Sequence, residues 1–128
     1  MPLAITALYA AILALILMAL AINVTVYRWR ERVPLGQGGN AVMLRIVRMH
    51  GNAAEYIPIG LLLMAVYELN GGARSALHVL GVTLVLGRLL HAWGLAHAIG
   101  PSFGRASGQV LTWLAIVGLA LANLLRVL

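Results

Sequence analysis

Arg48-Met49-His50-Gly51-Asn52-Ala53-Ala54-Glu55-Tyr56-Ile57-Pro58 sets a cation, an amide and a carboxylate into an otherwise lipid-like sequence. How this stretch is read decides the fold. On a helix each residue turns through about 100°, so Arg48, Asn52 and Glu55 fall within roughly 60° of one another and form one polar ridge. Such a ridge is penalised against acyl chains, and it is expected to face a neighbouring helix, a second subunit or a hydrated cavity holding a polar ligand. It is either a satisfied network that locks helices together or a binding site, and ionisable residues inside membrane segments favour the second reading.

The surroundings of the ridge supply the membrane assignment. Of 128 residues, 62% are hydrophobic and only 9% charged, with a mean hydropathy of +0.97, which is outside the range of ordinary soluble domains. The expectation is an all-α integral membrane protein, a single domain over 1–128. Its four-helix bundle would have transmembrane helices at about 3–32, 41–70, 75–99 and 106–127. The apolar run from Leu3 to Val26 is too long for a signal-peptide core and reads as a retained first helix.

All nine basic residues are arginines, set against Glu31, Glu55 and Glu68, for a net charge of +6. In a soluble protein that balance would suggest nucleic acid. Here the arginines sit mainly at the ends of apolar segments, as topology determinants and contacts to membrane lipid head groups, so no nucleic-acid partner is expected. The absence of cysteine excludes a disulfide framework, a thiolate metal site and a protein-borne thiol nucleophile. Any thiol chemistry must come from a substrate.

Along the chain, the first helix leaves through Tyr27-Arg28-Trp29-Arg30-Glu31-Arg32, an interfacial anchor in which Arg28 or Arg30 could instead serve a ligand carboxylate. Val33 to Asn40 is a polar loop with one proline and three glycines. The second helix, roughly 45 Å long, exceeds a hydrocarbon core of about 30 Å and should protrude at its arginine-bearing end. Pro58 either kinks it just beyond the ridge or is tolerated. The third helix carries Arg88 and His91 one turn apart, and Gly100 to Arg105 reads as the loop before the fourth helix.

Four histidines with no His-x-x-x-His pair, and no aspartate, make a metal site unexpected. No Ser/His/Asp set or paired carboxylates stand out. What survives is an arginine-rich pocket with an amide, a carboxylate, a phenol and an imidazole, suited to a zwitterionic ligand: guanidinium for carboxylates, Glu55 for an ammonium, Asn52 for an amide.

The pattern Arg-x-x-x-Asn-x-x-Glu-Tyr-x-Pro, here Arg48, Asn52, Glu55, Tyr56 and Pro58, resembles the signature of the MAPEG family, the membrane-associated proteins of eicosanoid and glutathione metabolism. Glu68-Leu69-Asn70-Gly71 and Gly87-Arg88-Leu89-Leu90-His91-Ala92 are similar to its small bacterial branch. The resemblance implies a homotrimer in the bacterial inner membrane, with glutathione bound between subunits near the cytoplasmic leaflet as co-substrate and a lipophilic second substrate. The implied activity is transfer of glutathione to electrophiles or reduction of lipid hydroperoxides. Implied glutathione contacts are Arg48, Asn52, Glu55, Tyr56, Arg88, His91 and Arg30. Arg105 resembles the family arginine beside the thiol and is the implied catalytic residue, with Arg30 second. Members that make lipid mediators carry a tyrosine where this chain has Leu95, so an eicosanoid substrate is not implied. The competing readings are a small multidrug-type transporter built around Glu55 and a non-catalytic lipid- or glutathione-binding membrane protein.

Arg28, Arg30, Arg32, Arg45, Arg48 and Arg105 lie toward one membrane face and only Arg74 and Arg126 toward the other, so the positive-inside rule puts both termini outside. A topology reporter fused after Leu128 should read as external. A cytoplasmic reading would reverse the placement of the whole polar ridge.

Overall fold

The computed structural model describes residues 2–98 and 100–128. It consists of α1 (Ala4–Glu31), α2 (Ala41–Leu69), α3 (Arg74–His97) and α4 (Phe103–Val127), with no strand among the described residues. The chain runs up and down, with short turns. Helices α2 and α3 form the middle: α1 packs on both of them, α4 packs on both of them, and α1 and α4 do not meet among the described residues.

Helix starts follow local chemistry. The Asn40 side chain accepts hydrogen bonds from the Val42 and Met43 amides at the start of α2, satisfying donors that the first turn leaves open. The Ser102 Oγ accepts from the Arg105 amide at 3.3 Å and starts α4 at Phe103. The sequence places Arg105 in a loop, and this cap corrects that reading: Arg105 lies in the first turn of α4. The expected end of the third helix, Ile99, lies outside the described residues; α3 ends at His97. Helix α2 continues unbroken through Pro58.

The first turn of α1 has no side-chain cap of its own. The cap comes from 62 and 63 residues away in sequence: the Glu68 carboxylate accepts from the Ile5 and Thr6 amides at 2.9 and 2.7 Å. A carboxylate there also meets the positive end of the helix dipole. At the same membrane face the Tyr9 hydroxyl lies 3.0 Å from His78 Nδ1, and the Arg126 guanidinium donates to the Gly71 carbonyl. These contacts tie all four helices together at that end.

Three of the helices, α1, α3 and α4, are long and apolar enough to cross a membrane, with hydropathies of 2.7, 1.6 and 2.0. Helix α2 has 29 residues, but Arg45, Arg48, Asn52, Glu55 and Glu68 dilute its apolar character. The bilayer-like composition shows in the burial as well. Only 22% of the α1 span and 17% of the α4 span are buried within the chain, so their outer faces suit lipid or another subunit.

A water-soluble bundle would be held by such apolar faces, but in lipid close backbone packing must do more of the work. The α3–α4 seam is built for it. A Cβ at Gly108 would fall on the His91 backbone, and one at Gly94 on the backbone of Gly104 and Arg105. Gly104 and Gly108 are spaced as in the small-xxx-small pattern. Gly108→Ala should therefore destabilise the protein by about 1–3 kcal/mol through overpacking. Gly51→Ala, where no atom lies within 4 Å, should stabilise α2 by up to about 1 kcal/mol. Glu68→Ala should cost about 1–2 kcal/mol by uncapping α1. Thermal unfolding in one detergent checks all three, and equal melting temperatures for the two glycine variants would refute the seam.

Candidate functional site

Arg88 is the largest fully buried side chain of the protein, 2% exposed on the inner face of α3. A guanidinium this deep needs nearly all of its donors satisfied. Nε and Nη2 both donate to Thr112 Oγ1, at 2.9 and 2.5 Å, and Nη1 donates to Asn52 Oδ1 at 2.6 Å. Thr112 in turn donates to the Gly108 carbonyl at 2.9 Å, which turns its lone pairs toward the guanidinium. Gly87 makes the approach possible, since a Cβ there would lie 2.7 Å from Thr112 Oγ1. The guanidinium carbon also sits 5.3 Å from the centre of the Tyr56 ring, a cation–π arrangement.

Tyr56 is held in its turn: its hydroxyl accepts from Trp113 Nε1 at 3.2 Å. The network thus joins Asn52 and Tyr56 of α2, Arg88 of α3, and Thr112 and Trp113 of α4. None of these partners of Arg88 is a carboxylate. The cation is balanced by dipoles and a π face, so its positive charge is not cancelled locally.

Beside this network lies a cavity of about 460 Å³, lined by Asn52 from α2, His91 from α3 and Arg105, Gln109 and Trp113 from α4, with Pro101 and Ser102 at its edge. Arg105, Gln109 and Trp113 follow one another at four-residue intervals down α4 and share one face. Arg105 is exposed, in the first turn of α4 at the positive end of its dipole. His91 is buried and within electrostatic range of Arg88, Arg105 and Arg48.

The residues singled out in the sequence therefore separate into two groups. Asn52, Tyr56, Arg88, His91 and Arg105 converge on the cavity or on the network behind it. Arg48 and Glu55 remain exposed on α2 and do not line the cavity, although they share the ridge with Asn52. Arg30 is exposed at the end of α1, on the helix that α4 does not touch. Position 95 holds a buried leucine packed with Ile46 and Met49, which fills that side with apolar bulk.

Thr112, Gln109 and Trp113 were not anticipated from the sequence. Their spacing from Arg105 carried a signal, because polar residues recurring every three or four positions in an apolar helix mark an inward face. Chemically, the arrangement offers two amides, an imidazole, an indole and a guanidinium that makes no side-chain hydrogen bond among the described residues. Groups of these kinds complement an anionic, amide-bearing ligand and leave apolar surface beside it.

The family model described as MAPEG family matches residues 6–125. The inner membrane protein YecN of Escherichia coli K12 is 41% identical over 120 residues, covering 94% of this chain and 90% of that protein. YecN of Escherichia coli O6:H1 matches with the same identity and coverage. A family match over nearly the whole chain, together with a relative at this identity, shows that the chain belongs to the MAPEG family.

Proposed function

We propose that this protein binds glutathione and uses its sulfur as a nucleophile toward lipophilic electrophiles or lipid hydroperoxides. The observation that carries this reading is the cavity that Arg105 lines together with Asn52, His91, Gln109 and Trp113. Glutathione brings two carboxylates, an ammonium, two amides and a thiol, and the cavity and ridge offer a complement for each. In conjugation the thiolate attacks an electrophilic carbon and forms a C–S bond while the leaving group or π-electron pair departs. In hydroperoxide reduction it attacks the terminal oxygen and becomes a sulfenic acid while the O–O bond breaks and the departing alkoxide takes a proton to leave as the alcohol; a second glutathione then attacks that sulfur and gives the disulfide and water.

With no cysteine in the chain, the enzyme's task is to ionise a bound thiol. A thiol of pKa about 8.5 is only a few per cent thiolate at neutral pH. Lowering that pKa to about 6.5 takes roughly 2.7 kcal/mol of preferential anion stabilisation. One guanidinium in a partly dehydrated cleft supplies energy on that scale. Arg105 is free to do so, whereas most Arg88 donors are engaged with Thr112 and Asn52. Arg88 acts as a positioning residue that fixes the Asn52 amide.

The exposed ridge favours a subunit contact with shared sites, and the homotrimer is the assembly that the family resemblance implies. Arg48 and Glu55 are exposed on one chain, and exposed charges near a hydrocarbon boundary are costly. A neighbouring subunit covering the ridge would bring these groups, or Arg30, to a ligand held on the next chain's α4. The name of the Escherichia coli relative and the arginine count together suggest the inner membrane, with the site toward the cytoplasmic leaflet.

Arg48→Ala or Glu55→Gln should weaken glutathione binding by about 1.5–3 kcal/mol, the scale of hydrogen bonds to charged groups, as read by titration calorimetry on detergent-solubilised protein. Arg105→Ala should retain binding but lose both the ultraviolet thiolate signal and turnover. If wild-type protein binds no glutathione, the reading fails as a whole. If Arg105→Ala keeps thiolate and turnover, only the assignment of the activating residue fails.

A further inference from the structure

A smaller cavity, about 200 Å³, opens between the last third of α1, the start of α2 and the end of α3. Its walls include Asn23 from α1, Val42, Arg45, Ile46 and Met49 from α2, and Leu95 from α3. It shares no residue with the cavity on α4, and α4 contributes none of its walls. Ile46, Met49 and Leu95 are buried and pack as one apolar cluster. Asn23 and Val42 are exposed, so the cavity opens beside them.

Two polar groups from different helices line this apolar pocket. Arg45 Nε is buried and makes no hydrogen bond among the described residues. Arg45 Nη1 reaches the Ala96 carbonyl at 3.4 Å, a long contact for an N–H donor. A buried donor left without a partner carries its full desolvation penalty, and the penalty is larger on a charged group. No carboxylate lines the cavity to neutralise the guanidinium. An arginine that only snorkelled would carry its head out to the interface; this one turns back to a carbonyl at the end of α3. Asn23 is the second group, a carboxamide set between Ile22 and Val24 in the apolar run of α1, where acyl chains offer it no partner.

Depth selects among the anions that could pair with Arg45. Asn23 follows Ile5, where Glu68 caps α1, by roughly 27 Å of helix at 1.5 Å per residue. A hydrocarbon core is about 30 Å thick, so the cavity lies just inside the core at its arginine-rich boundary. A water-soluble anion gains nothing from these apolar walls. An amphiphile whose charged end sits at that depth gains from both.

We propose that this cavity binds the carboxylate of a fatty acid, with the Arg45 guanidinium donating to both oxygens, the Asn23 amide donating from α1, and the first methylenes against Val42, Ile46 and Leu95. The planar guanidinium matches a carboxylate in a two-bond geometry. Sites that enclose a whole drug-sized ligand span roughly 300–1,000 Å³. A volume of about 200 Å³ suits the head and upper methylenes of one chain, with the rest of the tail in the bilayer.

The test equilibrates the purified full-length protein in detergent with equal amounts of palmitic acid and its methyl ester, at a pH that ionises the acid, and reads the retained lipid by native mass spectrometry. Wild type should prefer the acid by about tenfold or more, the scale of a hydrogen bond to a charged group. Arg45→Gln should abolish that preference and Asn23→Leu should reduce it several-fold. Arg74→Gln, which removes a charge at the opposite membrane face, should keep it. A palmitate carrying a photoreactive diazirine near its carboxylate should label α1 around Asn23 or α3 around Ala96. No preference in wild type, an undiminished one in Arg45→Gln, or labelling confined to α4 overturns the proposal. Displacement of the acid by millimolar glutathione also overturns it, because the cavity would then belong to the peptide's own site. Should Arg45→Gln fail to fold, Val42→Trp, which fills the opening from an exposed position, decides: loss of the preference supports the site and its retention refutes it. The inference stands apart from the glutathione reading, and Arg45→Gln should bind glutathione as wild type does.

Discussion

A guanidinium buried among three helices is the constraint on which the rest of the arrangement depends. Arg88 cannot be left unpaired in this environment, and pairing it fixes neighbours on both sides. Thr112 must approach from α4, and Asn52 must turn inward from α2. The first demand explains the glycines of the α3–α4 seam, because only helices without intervening Cβ atoms come close enough for one hydroxyl to accept two of the guanidinium's N–H bonds. The second divides the polar ridge of α2, taking its middle residue inward and leaving Arg48 and Glu55 outside.

That division gives the site two kinds of polar group. Behind the cavity are groups whose positions are fixed by buried hydrogen bonds: Arg88, Thr112, Asn52, and Tyr56 through Trp113. At its mouth are groups with little to hold them within the chain, Arg105 foremost. On the proposed reading, a rigid layer behind and charges in front would orient a flexible zwitterion while keeping one cation available for the reacting atom. The same low dielectric that makes Arg88 expensive makes the charge of Arg105 effective.

The two ends of the bundle do different physical work. At the Glu68 end, contacts are closed and structural: a carboxylate caps α1, Tyr9 meets His78, and Arg126 meets the α2–α3 turn. At the arginine-rich end, the cavity lined by Arg105 opens, and exposed Trp29 and the loop that follows it sit there. On the proposed reading, a bundle fastened at one face and open at the other would concentrate its chemistry in a single leaflet, where amphipathic molecules present their polar parts.

The sequence by itself determined the all-helical membrane class and the helix count. Hydrophobic runs long enough to cross a bilayer, broken at Val33 to Asn40, Asn70 to Gly72 and Gly100 to Ser102, permit little else when every backbone group must be satisfied internally. It also identified the family and most of the polar residues that gather near the cavity, because charges in an apolar chain are conspicuous wherever they occur. Tertiary structure alone decided what those residues face. Helical periodicity put Arg48, Asn52 and Glu55 on one ridge, but only the position of Arg88 across the α2–α3 contact drew Asn52 inward and left the other two exposed. Thr112 and Gln109 looked ordinary in an apolar helix until Gly87 and Gly108 brought α4 against α3. The cap on α1 was hidden for the same reason: Glu68 acts on amides 62 and 63 positions away, and a one-dimensional pattern carries no information about which helix end a distant carboxylate will meet.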